Sequence, residues 1–90
     1  MFNSQCPIPV DGYQIELIDD EILIFHPAKQ TIFYSNHTGA LVWQLCDGQR
    51  TVSEIGQLLR ATYPESASEI EVDLPNVIQA FIQHGALRWV

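Results

Sequence analysis

The sequence predicts an α+β domain, a three-stranded antiparallel β-meander followed by three α-helices. Three observations carry this expectation. Alternating and β-branched apolar runs fill the chain from Tyr13 to Tyr34, whereas apolar residues from Leu41 onward recur at helical spacing. Between Asp47 and Glu54 a helix stop, Asp47-Gly48, is followed at once by a helix start, Thr51-Val52-Ser53-Glu54. Turn residues and prolines punctuate the runs where strands would have to end.

Tyr13-Gln-Ile-Glu-Leu-Ile18 alternates apolar and polar residues, the pattern of a strand with one face buried. Asp19-Asp20-Glu21 makes a turn, and Ile22-Leu23-Ile24-Phe25 is a second strand that His26-Pro27 stops, because proline cannot continue a ladder. Ala28-Lys29-Gln30 turns the chain again into Thr31-Ile32-Phe33-Tyr34, rich in β-branched and aromatic residues. Asn36 is a suitable N-cap for a first helix whose apolar residues are Leu41, Val42, Leu45 and Cys46, with Trp43 also expected in the core. Gly48 suits the left-handed position that ends this helix. The capping box starts a second helix near Val52, with Val52, Ile55, Leu58 and Leu59 turned inward, and Tyr63-Pro64 closes it. A third helix either begins at Asp73, with Pro75 in its first turn, or starts earlier and kinks at Pro75; the later start is favoured, because an earlier one encloses Pro75 and loses a hydrogen bond to Glu71. Val77, Ile78, Phe81 and Ile82 form its buried stripe, and Gly85 ends it before Leu87-Val90, which either pairs as a short strand or packs as a tail. Strands first and then three helices, two of them joined by a tight turn, is the order of a winged helix-turn-helix.

Ninety residues, 47% of them hydrophobic, suffice for one domain and not for two. Residues 1–12 are expected to be a flexible N-terminal arm and residues 13–90 the folded domain. The apolar runs fall far short of the roughly twenty residues that a membrane span needs, and no basic segment precedes an apolar run near Met1, so a cytoplasmic protein is expected. Cys6 and Cys46 imply no disulfide framework, and Cys46 reads as core. The net charge is −7, and the basic residues Lys29, Arg50, Arg60 and Arg88 are scattered, which argues against nucleic acid and anionic membranes as partners. His26, His37 and His84 make no metal-ligand spacing, and neither a paired nucleophile and base nor a glycine-rich phosphate loop is present. The expectation is a protein that is not an enzyme and needs no cofactor or metal.

Asn36, Thr38-Gly39, Val42-Trp43, Leu45, Asp47-Gly48, Thr51-Val52, Glu54-Ile55, Leu58, Tyr63-Pro64, Asp73, Gly85 and Leu87 together resemble the PqqD-like family, named for the small protein of pyrroloquinoline quinone biosynthesis. The resemblance runs from about Tyr13 to Val90, and Pro75 departs from the family pattern. It implies a recognition element for ribosomally made, post-translationally modified peptides. Such domains hold the leader of a precursor peptide as a strand added to the sheet, beside the third helix, and present it to a modifying enzyme, often a radical S-adenosylmethionine (radical SAM) protein.

An open strand edge offers unpaired backbone groups that bind an extended peptide, while pockets read alternate side chains. The candidate peptide-binding residues are therefore Ile32, Phe33, Tyr34 and Ser35 on the third strand, with Val77, Ala80, Phe81 and His84 as the groove wall. Two other classes remain open. A winged-helix DNA-binding regulator would need basic residues on its recognition helix, and helix two holds only Arg60. A self-associating subunit would form a homodimer through the third strand and cover the same edge.

Overall fold

The computed structural model describes residues 4–90 of the chain. The elements run β1 (Pro7–Pro9), β2 (Gln14–Ile18), β3 (Glu21–His26), β4 (Thr31–Ser35), α1 (His37–Leu45), α2 (Val52–Thr62), a 3₁₀ turn (Pro64–Ser66), α3 (Ala67–Gln83) and β5 (Leu87–Trp89). The α+β expectation holds. Strands β2, β3 and β4 make an antiparallel meander in that order, and three α-helices follow it.

The meander covers the helices with the inner face of its middle strand. Ile22 and Ile24 of β3 are fully buried, and they join Val42 of α1, Ile55 of α2 and Ile78 of α3 in one core. Trp43 is 8% exposed and Cys46 4%, so both are core residues as expected. The first predicted strand behaves differently. Every residue of β2 is exposed, and Ile15 and Leu17, which lie opposite the buried Ile24 and Ile22, are 39% and 55% exposed. Alternation correctly gave a strand, yet the helices pack beneath β3 and β4 and leave β2 overhanging them. Leu58, expected inside helix two, is likewise 41% exposed.

Helix ends follow the local chemistry of the sequence. The Asn36 side chain accepts a hydrogen bond from the Gly39 amide at 2.9 Å. Thr51 Oγ1 accepts from the Glu54 amide, and Glu54 Oε1 accepts from the Thr51 amide, which completes the capping box and holds the Glu54 carboxyl below its ordinary range. Helix α1 stops at Leu45, so Gly48, at φ +79°, lies in the following loop, one residue past the position expected of it.

Helix α3 starts six residues before the expected Asp73 and encloses Pro75. Glu71, whose carbonyl loses its donor to the proline, is exposed, and so is Pro75, which leaves that carbonyl open to water. The Asn76 side chain also donates to the Val72 carbonyl at 3.3 Å, supplying a bond on the same side of the break.

The expected flexible arm is also corrected, although its residues 1–3 lie outside the described residues. Pro7–Pro9 pairs antiparallel with Leu87–Trp89 in a separate two-stranded ribbon, with Pro7 opposite Trp89 and Pro9 opposite Leu87. Backbone bonds from Gly48 to Pro7 and from Val52 to Gln5 tie this ribbon to the loop between α1 and α2 and to the start of α2, and a bond from Val90 to Cys6 extends the ribbon itself. The tail at Leu87-Val90 is thus a strand, and its partner is a segment that carries no alternation for the eye to find. Among the described residues no helix is long and apolar enough to cross a membrane.

Burial, and secondarily the adjacent Asp47 carboxylate, push the Cys46 thiol from 9.0 up to about 12. Above pH 9 the unfolded chain therefore releases a proton that the native state keeps, so stability falls as pH rises from 9 toward 12. Urea unfolding at about pH 8 and about pH 10 should show the parent losing about 1 kcal/mol more than Cys46→Ala over that interval. Equal losses would count against a buried thiol.

Candidate functional site

Strand β4 is bonded to β3 along one side, and among the described residues no strand pairs with its other side. Its side chains alternate. Phe33 and Ser35 stand opposite the buried Ile24 and Ile22 and so face the helices, whereas Ile32 and Tyr34 point to the far face, where they are 62% and 67% exposed.

Helix α3 runs beside this edge in the opposite direction. At one end the Asp73 carboxylate accepts hydrogen bonds from the Asn36 side chain at 3.4 Å and from Thr38 Oγ1 at 3.2 Å, tying α3 to the start of α1 just after β4. At the other end the Phe33 ring stacks on the His84 imidazole, centroids 4.1 Å apart and planes 9° from parallel. Phe33 also packs at 6.0 Å on Phe81, which meets Trp43 edge-to-face at 5.5 Å.

The structure brings the predicted residues together unevenly. Phe33, Phe81 and His84 touch one another in a row. Ala80 is half-buried on the same stripe of α3 and His84 is exposed. Val77 and Phe81 are only 7% and 1% exposed, so they form the floor beneath the helix–strand junction and leave the accessible wall to Ala80 and His84. Ile32 and Tyr34 contribute backbone to the edge while their side chains lie on the other face of the sheet.

Sequence reasoning missed two contributors. Asp73 was expected only to begin a helix, yet its carboxylate links α3 to α1; its neighbours Asn36 and Thr38 are far away in sequence, and no local pattern announces the pairing. Tyr13 donates its hydroxyl hydrogen to the His84 carbonyl at 3.1 Å and packs edge-to-face on His26, so it braces the C-terminal end of α3. Beyond the Asn36–Asp73 bond the surface sinks into a cavity of about 170 Å³ between the N-terminal ends of α1 and α3. Its walls are polar at Thr38, Ser66, Glu69 and Asp73, and apolar at Leu41 and Ile70. Among the described residues no group of three or more His, Cys, Asp or Glu could hold a metal ion.

The geometry has counterparts among known proteins. A family model described as coenzyme PQQ synthesis protein D (PqqD) matches residues 21–87. A solved structure titled TbiB1 in complex with the TbiA(beta) leader peptide superposes with a TM-score of 0.71 at 25% identity, over 90% of this chain and 94% of that one. None of the curated proteins matches this chain.

Proposed function

The chain belongs to the PqqD family, and from that premise we propose that it is a cytoplasmic, non-catalytic peptide chaperone for a ribosomally made precursor. The leader adds as a strand to the open edge of β4, held in register by main-chain bonds along residues 32–35 and read by side chains that descend toward Phe33, Ala80 and His84. The bound precursor is then presented to a modifying enzyme of the radical SAM class. The observation that carries this reading is an unpaired β4 edge lying alongside α3, in a fold shared with a protein solved on a leader peptide.

Charge favours this reading over a winged-helix DNA regulator. The four cations sit in the β3–β4 turn, the α1–α2 loop, α2 and β5, and Arg50 is engaged by Asp47 at 3.0 Å. Such dispersal makes no phosphate-binding stripe.

Amide NMR titration with the leader of a precursor encoded beside this gene tests the proposal. Shifts are expected along residues 32–35 and on the Ala80–His84 face of α3. Ala80→Leu, which adds bulk to the half-buried wall, should weaken leader binding by about tenfold, equivalent to roughly 1.4 kcal/mol, while leaving the unfolding transition nearly unmoved. Perturbation of β2 instead, or none in a folded protein, overturns the proposal. Concentration-dependent mass, with the same β4 amides shifting in the absence of peptide, would replace it with a homodimer through that edge.

A further inference from the structure

The cavity between α1 and α3 combines apolar and acidic walls. It opens next to Asn36, the residue directly after β4, and Asp73 lines it from α3. A peptide strand lying along β4 therefore reaches this cavity with the residue just past its paired segment, at the end beside Ser35. Leu41, Ile70 and the Tyr63 ring give one apolar side, and Glu69 and Asp73 supply two carboxylates. These two acids are four residues apart on one helix face, where like charges repel. Among the described residues the one ion pair is Arg50 with Asp47, so no lysine or arginine of this chain pairs with them, and His37 also lines the cavity. Asp73 receives only the neutral donors Asn36 and Thr38.

We propose that this cavity receives a lysine or arginine side chain of the bound leader, its aliphatic stem against Leu41, Ile70 and Tyr63 and its charge against Asp73 and Glu69. The inference rests on strand addition at β4 and deepens it into a sequence preference, a basic residue flanking the paired segment. Long basic side chains combine an apolar stem with a charged head, which is the combination these walls present. The net charge of −7 adds a field that draws such a residue in.

The test uses two small probes, N-acetylarginine methylamide and its neutral isostere N-acetylcitrulline methylamide, each titrated at millimolar concentration and read by amide NMR. The arginine probe should shift Thr38, Leu41, Ile70 and Asp73 saturably, and the shifts should collapse in about 0.5 M salt. The citrulline probe should leave these amides in place. Glu69→Gln, at an exposed position, should weaken the arginine probe by about threefold, and Asp73→Asn should do at least as much. Equal response to both probes, or no response at these four residues, overturns the inference; should Asp73→Asn disturb the fold, Glu69→Gln alone decides. A leader that shifts residues 32–35 while the arginine probe finds no seat would sink the subsite and spare the proposed function. An arginine probe seated in the cavity with no leader response along β4 would do the reverse.

Discussion

Phe81→Ala should remove about 3–5 kcal/mol from the unfolding free energy, the usual range for deleting a fully buried phenyl ring. Phe81 is 1% exposed and touches both Trp43 and Phe33, so the cavity left behind opens where helix α1, helix α3 and strand β4 meet. Edge-to-face contact with Trp43 adds to what is lost with the buried area. A domain of this size is stable by only about 5–15 kcal/mol, so the variant would stand near the threshold of folding at room temperature. Phe81→Leu keeps most of the volume and should cost no more than about half as much. Urea unfolding followed by Trp43 and Trp89 fluorescence gives both values. A loss under about 1 kcal/mol for the alanine variant would mean that α3 is not seated against the sheet as described. The same variant should loosen the Phe33–His84 stack, because Phe33 leans on Phe81 from the other side.

Gly39→Ala should cost about 1–3 kcal/mol, the range for forcing a methyl group into filled space. Gly39 is buried in the first turn of α1, and a Cβ there would stand 2.6 Å from Ser35 Cβ and closer still to its hydroxyl oxygen. Ser35 Cβ is bonded directly to the backbone of β4, so the clash cannot be relieved by turning a side chain. Either α1 retreats or Ser35, the last residue of β4, moves. Because the strain lies between two identified atoms, Ser35→Gly in the Gly39→Ala background should recover much of the loss. A double-mutant cycle therefore reads the contact directly, with an expected coupling of about 1 kcal/mol or more. Additive costs would show that Gly39 is needed for some reason other than the nearness of Ser35.

Much of this architecture was legible because its signals are local. Asn36, Thr51 with Glu54, and Gly85 fixed helix ends through chemistry confined to three or four residues, and each performs its expected capping in the structure or, for Gly85, adopts a left-handed φ of +78° just after the helix. Ile22 and Ile24 announced a buried strand by their β-branched run. Where the reading departed from the structure, the deciding interaction was distant or was made by solvent. Pro75 looked like a helix boundary because its local cost is plain, whereas the exposure of Glu71 that makes the cost tolerable depends on where the helix lies on the surface. Ile15 and Leu17 alternate like core residues, and only the placement of the helices leaves them uncovered. Pro7-Ile8-Pro9 carries no strand signal at all and becomes one by pairing with Leu87–Trp89. For the candidate site, spacing on α3 placed Val77, Ala80, Phe81 and His84 on one stripe, but it could not separate the buried Val77 and Phe81 from the more accessible Ala80 and His84.

The β1–β5 ribbon also orders the events of folding. The meander links neighbours along the chain through two tight turns, so its closure entropy is small and it can form early. The ribbon joins Pro7 to Trp89, positions separated by nearly the whole sequence, and repays its loop closure only once the helices have shortened the distance between them. Its pairing is therefore expected to come last, which stopped-flow refolding of a variant that breaks the ribbon would check by an unchanged folding rate and a faster unfolding rate. Pro7 and Leu87 are buried, so once closed the ribbon shares in the core and seals the two ends of the chain against it, while the open edge of β4 lies in the other sheet.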